Sequence, residues 1–163
     1  MMTITLKKML TKPSILSITR NDGSTTWSKL HRGLETHDLA HYAVESTLRF
    51  SKAFYGIINE GYNINDFELP KAQKPFAVKP ENLQKEAFVT EHIVNLLEVE
   101  FLNSGHNDIF IKELEAVLKD NNLPFPMNLT EVTLDTIRNS YQNVYNQWLV
   151  LTESQELNID FKP

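Results

Sequence analysis

The spacing of apolar residues changes period twice along this chain, and that change restricts its fold more than any other feature. Near the start it is two. Thr3-Ile4-Thr5-Leu6-Lys7 alternates polar with apolar, Ser14 to Arg20 is rich in β-branched and aliphatic residues, and Thr25 to Leu30 carries Trp27. Asn21-Asp22-Gly23-Ser24 between the last two reads as a tight turn, with Gly23 supplying a positive φ. From His37 to Leu151 the period is helical, and at Leu157, Ile159 and Phe161 it returns to two. Alternation at both ends around a helical middle predicts an α+β fold: a four-helix bundle-like core with a small antiparallel sheet formed by the N-terminal hairpin and the C-terminal strand.

Four helices fill the middle. With Thr36 as N-cap, the first runs from His37 to about Glu60, where Gly61 ends it; its buried face is Leu39, Ala43, Thr47, Phe50, Phe54, Ile57 and Ile58. Residues 62 to 79, with Pro70 and Pro75, read as an extended loop anchored by Tyr62, Ile64, Phe67 and Phe76. The second helix starts at Pro80 and reaches Gly105. It carries two apolar sides, one through Leu83, Ala87, Val94, Leu97 and Phe101, the other through Phe88, Val89, Leu96 and Val99. If one of these stays uncovered within the monomer, the chain is a homo-oligomer. Asn107 or Asp108 caps a third helix through Phe110, Leu114, Val117 and Leu118, and Thr130 or Thr133 starts a fourth through Leu134, Ile137, Tyr141, Val144, Trp148 and Leu151. With no internal repeat, residues 1–163 read as a single domain.

Composition narrows the function. The formal net charge is -5 and the lysines are scattered, so no basic stripe for nucleic acid exists. No run approaches the length of a membrane span, and the first fifteen residues lack the apolar core of a secretory signal, which makes the cytoplasm the expected location. Cysteine is absent, so a metal would need imidazole and carboxylate ligands.

Such ligands recur at helical spacing in one place. His37, His41 and Glu45 stand at i, i+4 and i+8, so on a helix they stack on one side about 6 Å apart, close enough to share a divalent ion. Glu45 is a third ligand or an orienting group for His41. Glu91 and Glu98, seven apart on the second helix, share a face and are the further ligands; His92 points to another side, His31 could fold back towards His37 as another candidate, and His106 beside Gly105 is a helix-end residue. Asp38 points about 100° away from His37 and suits the helix N-terminus. An ion with an open position would acidify water, with Glu45 or Asp38 as general base, which is the logic of metal-assisted hydrolysis. Zinc, manganese and nickel all accept this donor set. The alternative is a non-enzymatic ligand-binding or dimerising helical domain with structural histidines, Glu45 pairing with Arg49, and no assigned small-molecule ligand. The aromatic side chains Tyr42, Phe50, Phe54, Tyr55, Tyr141, Tyr145 and Trp148 either form core or line a ligand cavity.

The segment His37-Asp38-Leu39-Ala40-His41-Tyr42-Ala43-Val44-Glu45, followed by Phe54-Tyr55-Gly56-Ile57-Ile58-Asn59-Glu60-Gly61, resembles a family of uncharacterised bacterial proteins with an HDLxHYxVE segment and a later FxGxxxxG segment. The resemblance implies no activity. The HD-x-x-H piece also looks like the zinc motif of a coenzyme Q biosynthesis family, but that pattern has a glutamate where this chain has Ala53. HD-type phosphohydrolases need a helical histidine before the dyad, and here strands precede it.

Overall fold

The computed structural model describes every residue except Arg32 and Ser104. Its α+β architecture joins a four-stranded antiparallel sheet to five α-helices. Strands β1 (Met2–Lys7), β2 (Ile15–Thr19), β3 (Thr25–Lys29) and β4 (Glu156–Phe161) lie in the order β3-β2-β1-β4. Both ends of the chain therefore meet in one sheet, with Ile4 opposite Ile18 on one side and Ile159 on the other. Period-two alternation turns Met2, Ile4, Leu6, Leu16, Ile18, Leu157 and Phe161 inward, while Trp27 faces solvent. Among the described residues no helix is long and apolar enough to cross a membrane.

The expected first helix is two helices. α1 (Leu34–Leu48) starts behind Gly33, whose φ of 94° closes its N-terminus, so Thr36 lies inside the helix and donates its hydroxyl to the Gly33 carbonyl at 3.1 Å. At the other end Arg49 turns left-handed (φ 56°), and the amides of Arg49 and Phe50 both return to the Glu45 carbonyl. After this break, α2 (Phe54–Asn59) starts as a separate helix. Gly56 makes the corner possible: a Cβ there would lie 2.3 Å from the Ser51 carbonyl carbon. Arg20 fixes α2 to the sheet, its Nε donating to the Ile58 carbonyl at 2.7 Å.

The stretch from 62 to 79 is not extended; it folds into single 3-10 turns at Ile64–Phe67, Lys71–Gln73 and Phe76–Val78, the last two introduced by Pro70 and Pro75. Ile64 and Val78 anchor it, whereas Phe76 stands in solvent. α3 (Lys85–Leu102) begins five residues later than Pro80 because residues 79–83 close a turn on the Lys79 carbonyl. Its buried face takes Val94 and Leu97 from one expected apolar side and Val89 from the other, with Ile93 between them; Phe88, Val99 and Leu102 are exposed. α4 (Phe110–Asp120) follows, and α5 (Glu131–Val150) begins where the Thr130 hydroxyl accepts from the Thr133 amide at 3.2 Å. α1 packs against both α3 and α5, so it runs through the middle of the helical layer.

Replacing Gly56 with alanine forces the Ser51 backbone and α2 apart. Urea denaturation should show a loss of about 2 kcal/mol or more for Gly56→Ala; a change under about 0.5 kcal/mol would mean that the corner does not depend on this contact.

Candidate metal centre

The helix break gives Glu45 an unusual position. Its side chain is fully buried at the end of α1, and its Oε2 accepts the backbone N–H groups of Tyr55 at 2.9 Å and Gly56 at 3.1 Å, in the first turn of α2. The other oxygen faces back along α1 and accepts from His41 Nδ1 at 3.0 Å. With both oxygens engaged, Glu45 does not pair with Arg49. Of the two roles its spacing allows, ligand or orienting group for His41, the second is the one that a carboxylate behind Nδ1 matches.

One turn earlier the pattern repeats with a partner from another helix. His37 Nδ1 donates to Glu98 Oε2, on α3, at 3.0 Å. Ionised carboxylates only accept, so both imidazoles carry a proton on Nδ1, and in their neutral forms both Nε2 atoms present lone pairs. These two Nε2 atoms face each other at 3.2 Å. Glu91 stands across the gap, with one carboxylate oxygen 3.3 Å from His41 Nε2 and the other 3.8 Å from His37 Nε2. His37, His41 and Glu91 thus each offer one ligand atom within 4.8 Å of the others, and this group could hold a metal ion. Two nitrogens bound tetrahedrally to zinc lie about 3.3 Å apart, which the observed separation matches.

Burial sets the charges. Burial alone opposes a positive His41, but its hydrogen bonds to Glu45 and Glu91 outweigh it and push the imidazole up to about 10. Burial likewise pushes the Glu45 carboxyl up, against the opposing pull of His41. For Glu91 burial raises and the His41 hydrogen bond lowers, and the net displacement is downward. The centre grades from closed to open: the His41 side chain is 4% exposed, His37 26% and Glu91 52%, so solvent reaches it past Glu91. Phe54, with its ring 5.7 Å from that of His41, and Phe67, 5.0 Å from Phe54, wall the inner side.

Asp38 is not a helix-end residue. It lies in the second turn of α1, buried, and its Oδ2 has no hydrogen-bond partner among the described residues. Burial pushes its carboxyl up to about 7. The Tyr55 hydroxyl donates at 3.2 Å to the backbone carbonyl of Asp38, not to its carboxyl. His31 is exposed, and His106 sits beside Glu100 and Asp108 in the link from α3 to α4; neither touches the centre. Glu91 and Glu98 are equivalent in sequence, and only the register of α3 on α1 separates them: Glu91 meets the Nε2 atoms, Glu98 an Nδ1. Comparison with known protein families, curated proteins and solved structures yields no match.

These proton affinities give the metal-free protein a pH dependence. His41 is raised in the fold, so its contribution is complete below its unfolded value of 6.5 and is lost as pH rises through about 10. Asp38, raised from 3.8 to about 7, adds a loss of the same sign between those values, because the unfolded chain releases that proton first. The urea midpoint of metal-free protein should therefore fall continuously from pH 5 to pH 10, and Asp38→Asn should flatten the part below pH 7. A midpoint that rises across this range would contradict the assignment.

Proposed function

We propose that this is a divalent-metal-binding protein whose ion is held by His37 Nε2, His41 Nε2 and the Glu91 carboxylate, with one position left for water. The supporting observation is the facing pair of imidazole nitrogens. Carboxylates occupy both Nδ1 positions, and two lone pairs 3.2 Å apart repel unless a cation lies between them. Glu45 and Glu98 then act behind the ligands, fixing each ring and raising its basicity. Zinc, manganese and nickel all suit two imidazoles and a carboxylate.

Three protein ligands and an open position form the kind of centre that activates water, so metal-assisted hydrolysis is the enzymatic form of this reading. Of the two bases suggested by the sequence, Glu45 has both oxygens engaged by His41, Tyr55 and Gly56, and Asp38 is buried outside the ligand group. The second oxygen of Glu91 is the remaining acceptor beside that position.

One observation favours a different reading. A protonated His41 held by Glu45 and Glu91 completes a hydrogen-bonded network between α1 and α3 with no metal, and the upward displacement of its imidazole fits this. In that case the histidines are structural and the domain is non-enzymatic.

Metal content separates the two. Protein purified without chelator should carry close to one equivalent of a transition metal; His41→Ala should hold less than about a tenth of that, and Glu98→Gln should weaken the affinity by roughly 10- to 100-fold. Affinity should also rise with pH, because the ion displaces the His41 proton. Less than about a tenth of an equivalent in the unmodified protein, with no rise in thermal midpoint on adding zinc, manganese or nickel, would leave the structural reading standing.

A further inference from the structure

A cavity of about 420 Å³ opens between α3, α5 and the link from α3 to α4, and none of His37, His41 and Glu91 lines it. Its volume lies in the range of small-molecule sites. Leu97 and Phe101 form an apolar wall, and Glu100, His106, Arg138, Tyr141 and Gln142 supply the polar groups.

The charges in this wall are already spent on each other. Arg138 gives Nε to Glu100 Oε2 at 3.2 Å, Nη1 to Asp135 at 2.9 Å, and Nη2 to Glu100 Oε1 at 2.9 Å and the Asn107 carbonyl at 3.2 Å. Glu100 Oε1 also accepts the Asn107 amide at 2.9 Å. This ion pair pins the interhelical link to α5, and the remaining basic group of the wall, His106, lies 3.8 Å from Glu100 and 3.7 Å from Asp108, so each charged group described there already has a partner. Tyr141 is different. Its residue is 2% exposed and lines the cavity; its hydroxyl makes no hydrogen bond with another described residue and is not among the enclosed unpartnered atoms, so it keeps access to solvent. A hydroxyl that the protein leaves unused and solvent can reach is available to a ligand. Burial, reinforced by the Glu98 carboxylate, holds that hydroxyl far above the ordinary phenol range, so it acts as a donor. Gln142, at the mouth, gives its amide N–H to Asn146 at 2.9 Å, which keeps its carbonyl oxygen as an acceptor.

We propose that this cavity is a binding site for a small, uncharged aromatic molecule of the carboxamide class. The ring packs on Leu97 and Phe101, the ligand's carbonyl oxygen accepts from the Tyr141 hydroxyl, and its N–H donates to the Gln142 carbonyl. A carboxylate in place of the amide would bring a charge with no free counter-charge to meet it, beside Glu98 and Glu100. The neutral ligand is selected for that reason.

Benzamide is the probe. Titrated into ¹⁵N-labelled protein, it should shift the amide signals of Leu97, Phe101, Tyr141 and Gln142 along one saturable curve with a Kd of about 1 mM or lower. Benzoate should bind at least about fivefold more weakly, and Tyr141→Phe should weaken benzamide by about fivefold, the ordinary worth of one hydrogen bond. Gln142→Ala, a change at an exposed position, should also weaken it and keeps the test open if Tyr141→Phe unfolds. Absence of saturable shifts up to about 10 mM, equal binding of benzoate, or unchanged binding in the folded variants would each overturn the proposal. The cavity shares no residue with the metal group, so failure here leaves the metal reading untouched.

Discussion

The buried carboxylate of Glu45 is the interaction on which the rest of the site depends. A fully desolvated carboxylate costs several kcal/mol unless all of its acceptor capacity is used. Glu45 meets that condition by spanning two helices: one oxygen holds His41 on α1, the other the first free amides of α2. The corner between the helices is therefore part of the centre. Were α1 continuous through residue 60, the amides of Tyr55 and Gly56 would be committed to the helix and Glu45 would lack its second pair of partners. The ring of His41 would then be free to rotate, and its Nε2 would have no fixed direction.

The architecture was largely legible. Alternation at Thr3–Lys7 and at Leu157, Ile159 and Phe161 specifies half-buried strands, and a sheet built from both chain ends is the economical way to bury them. The helical period in α4 and α5 is strong, and Thr130 acts as the cap its side chain suggests. The break at Arg49 was not legible, because no glycine or proline marks it. Arg49 itself takes the left-handed conformation, and the residue that permits the corner, Gly56, lies seven positions further on, where it reads as an ordinary helical glycine.

The site was half legible for a related reason. Spacing within one helix is visible in sequence, so His37 and His41 could be paired; the rotation of one helix against another is not, so Glu91 and Glu98 stayed equivalent. Spacing also cannot tell a ligand from the group behind it. Glu45 stacks on the histidines at i+8 as a third ligand would, and only its reach to α2 turns it to Nδ1 of His41. Tyr141 illustrates the converse: its place in the α5 seam suggests plain core, and its unengaged hydroxyl becomes visible only when the wall around it is assembled.

Under the proposed metal reading the paired imidazoles form a receptor for positive charge, and proton and metal compete for it. The carboxylates behind the rings favour both, since each stabilises whatever cation sits at Nε2. The most direct measurement is the tautomeric state of the two rings, read from long-range ¹H–¹⁵N correlations after addition of one equivalent of zinc. The account predicts Nδ1–H on both His37 and His41, with both Nε2 resonances moved to metal-bound positions. A spectrum in which either ring keeps a proton on Nε2 with zinc present would contradict it.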